Sequence, residues 1–155
     1  MEIKLLVVGK TKNKELISLI SNYVKRIKLY NKFQIIEVNS TKSKKNNEND
    51  FKKIESENIL KKVKNNDLLI LLDEKGKNYS SREFANFIKI KTQENKTIIF
   101  VIGGAFGFSS ELYSKSNGLI SLSSMTFSHQ IIRLFFTEQL YRAFTILNNH
   151  PYHND

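Results

Sequence analysis

Short apolar runs alternate with amphipathic stretches along most of this chain, and this alternation constrains the fold more than any other feature. Four of the runs are short and rich in Ile, Val, Leu or Phe, which is typical of strands buried on both faces. They are residues 3–8, 33–38, 68–72 and 98–102. Strands separated by helices form parallel sheets with the helices packed on the faces. The sequence therefore predicts an α/β fold with a mostly parallel sheet.

The stretches between these runs carry apolar residues at helical spacing. The residues are Leu16, Ile20, Val24 and Ile27 within a first helix over 14–29, Phe51, Ile54, Ile59 and Val63 in a second, and Phe84, Phe87 and Ile88 in a third. With 155 residues, of which 40% are hydrophobic, the chain is long enough to bury one core. We expect a single domain over residues 1–155, with ligands bound beyond the carboxyl ends of the strands.

Several classes of protein are disfavoured by what the sequence lacks. It has no cysteine, which excludes a disulfide framework and a thiolate metal site and favours a reducing cytoplasm; we expect no metal. No apolar stretch approaches the roughly 20 residues that span a bilayer. The first nine residues include an acid and a lysine, so they are typical of a strand rather than of a signal peptide. We expect a soluble cytoplasmic protein without a membrane partner.

Positive charge is concentrated in the N-terminal part of the chain. The net charge is +10, and residues 1–66 carry 16 Lys and Arg against 7 Asp and Glu, whereas residues 101–155 carry 3 against 3. A one-sided positive field favours polyanions such as RNA. However, 21 of the 25 basic residues are Lys, and a biased genome composition produces the same excess. The polar, lysine-rich segment 39–50 is predicted to be a mobile loop, either a solvated connection or a phosphate-binding loop.

The fourth apolar run leads directly into a glycine loop. Residues 103–107 read Gly-Gly-Ala-Phe-Gly, and Ser109 follows as a plausible helix cap. Glycines let the backbone approach a ligand closely and offer amide donors to it. The spacing differs from that of the dinucleotide fingerprint, so a nicotinamide enzyme is disfavoured.

A second loop, rich in hydroxyl groups, precedes a strongly apolar helix. A short strand beginning at Leu119 ends in a serine-rich turn, and the following helix, over 129–144, is apolar on nearly every side. Such a helix must be buried all round, which a subunit interface would achieve. Arg133 and Arg142 lie nine residues apart and hence on opposite sides, and Glu138 is placed to pair with Arg142 within the helix.

The last six residues contain an unusual number of ionisable and aromatic side chains for a terminus. They contain the one proline, two of the three histidines and Tyr152. Termini are normally disordered unless something holds them. We therefore expect this tail to lie against a structured part of the protein.

Together these motifs resemble the ribosomal large-subunit methyltransferase H family over the whole chain. The motifs are Gly103, Gly104 and Gly107, the segment 121–126 leading to His129, the segment 140–143 and the segment 149–153. The resemblance implies a SPOUT-class fold with a deep C-terminal trefoil knot, an exception to the rule that chains are unknotted. It also implies a homodimer in which the tail reaches the active site. The implied reaction is methylation of N3 of a pseudouridine in the helix 69 stem-loop of 23S ribosomal RNA, on the assembled 70S ribosome.

The resemblance also implies a role for individual residues. The implied contacts of the cofactor, S-adenosylmethionine, are Leu72, Gly103, Gly104, Leu122, Ser123, Ser124, Met125, Thr126 and Phe127. The implied catalytic residues are Arg142, Tyr152 and His153. A histidine can accept the N3 proton near neutral pH, an arginine can stabilise the resulting anion, and a tyrosine can stack on the base. His129 is expected to be a supporting or structural residue.

Four residues, at three places in the chain, depart from the family pattern. Ala105 and Phe106 stand in the middle of the glycine loop where Pro-Glu is frequent, Ser128 stands where proline is common and predicts a looser turn, and Asn154 replaces a basic residue.

Two alternative functions remain open. One is an RNA-binding or ribosome-assembly module that has lost its chemistry, and the other is a knotted methyltransferase that acts on tRNA.

Overall fold

The computed structural model describes residues 1–40 and 47–155, and it has five strands that alternate with five helices. The elements are β1 (Glu2–Val8), α1 (Lys14–Ile27), β2 (Lys32–Val38), α2 (Glu48–Leu60), β3 (Leu68–Asn78), α3 (Ser81–Gln93), β4 (Ile98–Ile102), α4 (Ser110–Lys115), β5 (Gly118–Ser121) and α5 (Ile131–Leu147). The strand order is β2-β1-β4-β3-β5, and each pairing is parallel. The predicted α/β fold with a parallel sheet is confirmed.

The sheet is covered on both faces, which explains why its central strands read as continuous apolar runs. Every residue of β4 is buried. One core cluster joins the sheet to α1, α3 and α5, and the second joins it to α2 and α4. Because β1, β3 and β4 are parallel neighbours, their carboxyl ends meet at one edge, and the loops that follow them lie close together.

Some predicted boundaries were wrong. Helix α1 ends at Ile27, and α2 ends at Leu60, so that Val63 lies in the following turn. Of the predicted loop 39–50, residues 41–46 lie outside the described residues, and residues 48–50 begin α2 instead. Asn47 and Asp50 form a capping box at that end, and reciprocal hydrogen bonds of this kind stabilise a first turn that polarity alone does not reveal.

Strand β3 is longer than predicted because it pairs with β5 twice. Its register shifts between Leu72 and Lys77, and pairing then resumes as far as Asn78. Gly76 lies within the shift, where an added Cβ would come within 2.6 Å of the backbone nitrogen of Ile120. A side chain at this position would therefore collide with β5.

Helix α5 packs against α1 and α3, and its central residues Phe136, Leu140 and Phe144 are buried in the core. Within the described residues its outer face is only partly covered, since Ile131 and Phe135 remain 39% and 38% exposed. In the part of the chain that the structure describes, none of the helices has both the length and the apolar character required to cross a membrane.

Candidate functional site

A cleft of about 350 Å³ opens at the carboxyl ends of β3, β4 and β5. The glycine loop after β4 forms one wall, and the turn over 121–128 forms another. Eight of the nine residues predicted as cofactor contacts line this cleft. They are Leu72, Gly103, Gly104, Leu122, Ser123, Met125, Thr126 and Phe127. The ninth, Ser124, is not among the lining residues, and its hydroxyl lies 3.4 Å from Asn78 Nδ2, which donates to it.

The glycines of the loop are required by close packing and by backbone conformation. A Cβ on Gly103 would lie 2.9 Å from the ring of Phe108, and a Cβ on Gly104 would lie 2.8 Å from a carboxylate oxygen of Glu55. Gly107 has a φ of 79°, which L-residues other than glycine adopt only at a cost. The three glycines therefore let the loop pack closely against the protein on one side, and they leave its backbone open to the cleft on the other.

Helix α2 supports the glycine loop from behind. Phe51 stacks on Phe106 with ring centroids 5.5 Å apart, so the aromatic residue that departs from the family pattern packs against this helix. Ser56 Oγ accepts a hydrogen bond of 3.1 Å from the backbone N–H of Ser109. Glu55 lies between these contacts and is only 7% exposed. Its Oε2 accepts no hydrogen bond within the described residues, and burial raises the pKa of this carboxyl.

The serine-rich turn is held by its own hydroxyl groups. Ser121 Oγ donates to the carbonyl oxygen of Ser123 at 2.8 Å, and Ser123 Oγ accepts from the backbone N–H of Met125 at 3.0 Å. Ser128 Oγ accepts from the N–H of Ile131 at 3.2 Å. The looser turn expected from Ser128 stays a prediction, but its hydroxyl satisfies an N–H at the start of α5 that proline could not bind through a side chain.

His129 lies in the lining of the cleft, next to a buried arginine. Arg133 is 1% exposed, and it donates to the carbonyl oxygens of Val8, Gly9 and His129 at 2.7, 3.0 and 3.1 Å, and to Thr11 Oγ1 at 2.9 Å. It therefore fixes the loop after β1 to the first turn of α5. Burial and the positive charge of Arg133 lower the pKa of His129, which favours a neutral imidazole at pH 7.

The three predicted catalytic residues form a separate cluster with Glu138, which we call the tail cluster: Glu138, Arg142, Tyr152 and His153. Arg142 donates to Glu138 Oε1 from Nε and Nη2 at 3.1 and 2.5 Å. Tyr152 donates to the same oxygen at 3.0 Å. His153 Nδ1 lies 3.1 Å from Arg142 Nη1, and the guanidinium carbon of Arg142 lies 4.9 Å from the centroid of the Tyr152 ring. The expected ion pair of Arg142 with Glu138 is confirmed.

The tail is held against α1, α3 and α5, as the sequence led us to expect of a terminus so rich in functional groups. Tyr152 packs edge-on against Tyr141, with ring centroids 4.7 Å apart, and its hydroxyl lies 3.3 Å from that of Tyr23 on α1. Asp155 accepts from Arg82 Nε at 2.9 Å and lies 2.7 Å from His153 Nε2. Burial and hydrogen bonds to Tyr23 and Glu138 raise the pKa of Tyr152, so its phenol keeps its proton.

No member of the tail cluster lines the cleft of its own chain. A second hollow of about 740 Å³ lies on the other side of residues 121–123, and Glu138 and Tyr23 contribute to its lining together with the exposed apolar residues Leu19, Phe127 and Phe135. The two concavities share Ser121, Leu122, Ser123 and Phe127. Within one chain, the predicted cofactor contacts and the predicted catalytic residues are therefore adjacent but do not form one pocket.

Comparison with known proteins places this arrangement in a family. A family model described as "Predicted SPOUT methyltransferase" matches residues 1–153. The chain belongs to the SPOUT methyltransferase family. A relative from Christiangramia forsetii is 52% identical over 156 residues, with 99% of each chain covered. One from Phocaeicola vulgatus is 48% identical, with both chains fully covered. Both relatives are named ribosomal RNA large subunit methyltransferase H.

Solved structures with low sequence identity share the fold of this SPOUT methyltransferase. A probable methyltransferase from Bordetella pertussis has a TM-score of 0.54 at 10% identity, with 92% of this chain and 96% of that chain covered. A Legionella pneumophila protein, solved with bound cofactor SAM, has a TM-score of 0.52 at 13% identity, with 92% of this chain and 66% of that chain covered. At these identities the likeness shows the fold alone.

Sequence reasoning missed several residues of the candidate site. Asp73 and Glu74 line the cleft, and their position directly after a buried strand was a signal that could have found them. No comparable signal pointed to Tyr23, or to Glu138 as the acceptor for both Arg142 and Tyr152. These contacts depend on how the tail folds back over α1 and α5.

Proposed function

We propose that this protein transfers a methyl group from S-adenosylmethionine to N3 of a pseudouridine in the helix 69 stem-loop of 23S ribosomal RNA. The observation that carries the proposal is the gathering of eight of the nine expected cofactor contacts in one cleft. Full-length identity of about half to relatives named ribosomal RNA large subunit methyltransferase H supports the choice of substrate.

The residues of the cleft fit this cofactor. Leu72, Leu122 and Phe127 offer apolar surface for an adenine ring, and the glycine loop and serine turn offer backbone groups at close range. The bound cofactor supplies an electrophilic methyl group on a sulfonium. Methyl transfer is an in-line displacement, so the rate depends strongly on how well the protein aligns the base with that group.

His153 is the proposed acceptor of the N3 proton. Arginine only donates hydrogen bonds, so the 3.1 Å contact of Arg142 Nη1 requires Nδ1 of a neutral His153 to be the acceptor and its Nε2 to carry the hydrogen that faces Asp155. The basic lone pair is thus held by Arg142. When the base arrives, Arg142 shifts its donor to the base oxygen, where it stabilises the anion, and Nδ1 becomes free to take the proton.

Tyr152 has a binding rather than an acid–base role in this proposal. Its raised pKa and its hydrogen bond to Glu138 keep it a phenol. With Arg142 over its ring, it presents an aromatic face next to the guanidinium group, which suits stacking on an unpaired base.

The proposed assembly is a homodimer, in which the tail cluster of one protomer completes the cleft of its partner. Two observations support this. Leu19, Phe127 and Phe135 form an exposed apolar surface that borders both concavities, and surfaces of this kind mark interfaces. In addition, the tail cluster does not line the cleft of its own chain. The trefoil knot stays a prediction of the family resemblance, as does the cytoplasmic location that an enzyme of ribosomes requires.

The decisive experiment supplies the purified protein and methyl-labelled S-adenosylmethionine with assembled 70S ribosomes, with free 23S rRNA or with bulk tRNA. We expect label in 23S rRNA from the 70S ribosomes, at the N3 position of a pseudouridine when the digested nucleosides are analysed by mass spectrometry. Label confined to tRNA would favour the tRNA enzyme. Absence of cofactor binding in calorimetry would favour the module without chemistry.

Two measurements test the assembly and the RNA interaction. Phe135→Glu places a charge on the apolar surface, so sedimentation should show monomers where the wild type shows dimers. A wild-type monomer would contradict the assembly. If the lysines of residues 1–66 bind phosphate groups, ribosome binding should fall steeply with salt; a flat response would assign them to composition bias.

A further inference from the structure

The charged side chains that line the cleft are acidic. Asp73 and Glu74 line it, and within the described part of the chain no Lys or Arg does. The other ionisable lining residue is His129, whose pKa is lowered by burial and by the nearby charges of Arg133 and Lys12. Near neutral pH the lining therefore holds two carboxylates and a neutral imidazole, although the chain as a whole has a net charge of +10.

The carboxylate of Asp73 is fixed in orientation by donors on both of its oxygens. The hydroxyl of Tyr113 on α4 donates to Oδ2, and the backbone N–H of Lys75 donates to Oδ1 at 2.8 Å. Burial, this hydrogen bond and the charge of Asp73 raise the pKa of Tyr113, so the phenol remains a donor. The ammonium of Lys75, the cation next in sequence, lies 5.9 Å from the centroid of the Tyr113 ring and does not line the cleft.

Glu74 reaches the opposite lip of the cleft. Thr126 Oγ1 donates to its Oε2 at 3.4 Å, so the side chain extends from the end of β3's first pairing segment to the serine-rich turn. A carboxylate in this position lies beside whatever occupies the cleft. The side chain of Glu74 is exposed, whereas Asp73 is half-buried. The charge of Asp73 therefore interacts more strongly than a charge on an open surface.

We propose that Asp73 and Glu74 make the cleft selective for the charge of its occupant, so that it binds the cationic methyl donor in preference to the neutral product. This rests on the proposed function, which places S-adenosylmethionine in the cleft. The donor carries a sulfonium, and its loss of the methyl group leaves the neutral thioether of S-adenosylhomocysteine. The two carboxylates attract the positive charge of the sulfonium, which the product lacks. This attraction is lost when the methyl group is transferred. The same residues thereby favour exchange of spent for fresh cofactor.

Calorimetry with three ligands tests this without any measurement of activity. The ligands are S-adenosylmethionine, S-adenosylhomocysteine and sinefungin, which carries an amine in place of the sulfonium. For D73N combined with E74Q, we expect the ratio of the product's Kd to the donor's Kd to fall about tenfold, as the loss of charges a few ångströms away would produce. The change should come mainly from weaker binding of the donor and of sinefungin, while the product's Kd changes little.

Two control variants separate charge from structure. Tyr113→Phe removes the hydrogen bond to Asp73 but keeps both carboxylates, so the ratio should stay near the wild-type value. Glu111→Gln removes an exposed carboxylate on α4 that pairs with Lys115 outside the cleft, and it should leave the ratio unchanged. Added salt should lower the ratio in the wild type more than in the double variant.

Three results would overturn the inference. They are an unchanged ratio in the double variant, an equal fall in Tyr113→Phe, and equal weakening of donor and product. Each of these leaves the proposed function standing, because the wild type still binds the cofactor. Failure of the wild type to bind either nucleoside would instead contradict the proposed function, and with it the basis of the inference.

Discussion

The cleft and the tail cluster share a border but are built in different ways. The cleft is formed mainly by loops that follow strands, with glycines and hydroxyl groups setting the shape of the backbone. The tail cluster is formed by long side chains around one carboxylate, with Glu138 accepting from both Arg142 and Tyr152. A binding site that relies on backbone shape and a reacting group that relies on side-chain orientation should respond differently to substitution.

Deleting residues 150–155 gives the largest expected effect. It removes Tyr152 and His153 but leaves every lining residue of the cleft. Methylation should fall by about 10³-fold or more, as for loss of a general base together with its supporting groups, while the Kd for S-adenosylmethionine changes less than about twofold. If calorimetry showed that cofactor binding falls as much as methylation does, the cleft and the tail cluster would not act as separate regions.

Arg142→Ala should lower kcat by about 10²- to 10³-fold, the usual cost of removing a donor that stabilises developing negative charge. The KM for S-adenosylmethionine should be unchanged because Arg142 does not line the cleft of its own chain and its proposed contact is with the base rather than with the cofactor. Arg82→Ala is the matched control, since Arg82 is a surface arginine that binds Asp155 of the same tail. Single-turnover methylation of ribosomes compares the two variants, and similar losses would mean that the tail needs positive charge rather than the position of Arg142.

Gly103→Ala should affect the cleft and spare the tail. The new Cβ would lie 2.9 Å from the ring of Phe108, a cleft residue that is itself 6% exposed. Overpacking of this kind costs about 1–3 kcal/mol, so we expect a lower Tm and a cofactor affinity about tenfold weaker. Gly107→Ala, where nothing lies within 4 Å of the added atom, should show only the milder cost of a positive φ. Calorimetry and thermal denaturation of both variants test this.

Glu55→Gln should give the smallest effect, and it appears as a dependence on pH. Because the folded-state pKa of Glu55 is raised, its contribution to the free energy of unfolding is complete below the ordinary carboxyl pKa and is lost as the pH rises through the folded value. The variant should therefore be more stable than the wild type by about 1 kcal/mol at neutral pH and nearly equal at about pH 4. Urea denaturation at both pH values measures the difference. A wild type that gains stability relative to the variant as the pH rises would contradict it.

The contrast between the two regions also explains what could be predicted from sequence. The family resemblance implied that Leu72, Gly103 and the serine-rich turn contact one cofactor. In the structure they line one cleft, because the order of the parallel sheet brings the ends of β3, β4 and β5 close together. In the tail, Tyr152 and His153 were singled out from their residue types and from family resemblance. Glu138, which accepts from both Arg142 and Tyr152, was anticipated only as the ion-pair partner of Arg142, because the path of a terminus is set by tertiary packing that has no periodic signal.

Departures from the family pattern were harder to interpret than the pattern itself. Phe106 had no assigned purpose in the sequence, yet it stacks on Phe51 of α2. Ser128 was expected to loosen the turn, and the structure adds that its hydroxyl accepts a hydrogen bond at the start of α5. Both depend on a neighbour in space, one across the loop and one three residues along the chain. The charge of the cleft was missed for a related reason, since a strongly basic composition conceals two acids in one place.

The buried guanidinium of Arg133 has a consequence for how the molecule is made. It joins α5 to backbone groups of Val8 and Gly9, which are more than 120 residues away in the chain. A nascent chain that has not yet released α5 from the ribosome therefore lacks the donors that hold the end of β1. Contacts of such long sequence separation form late and slowly. The enzyme proposed to modify ribosomes should thus complete its proposed cofactor site only after α5 has left the ribosome that makes it.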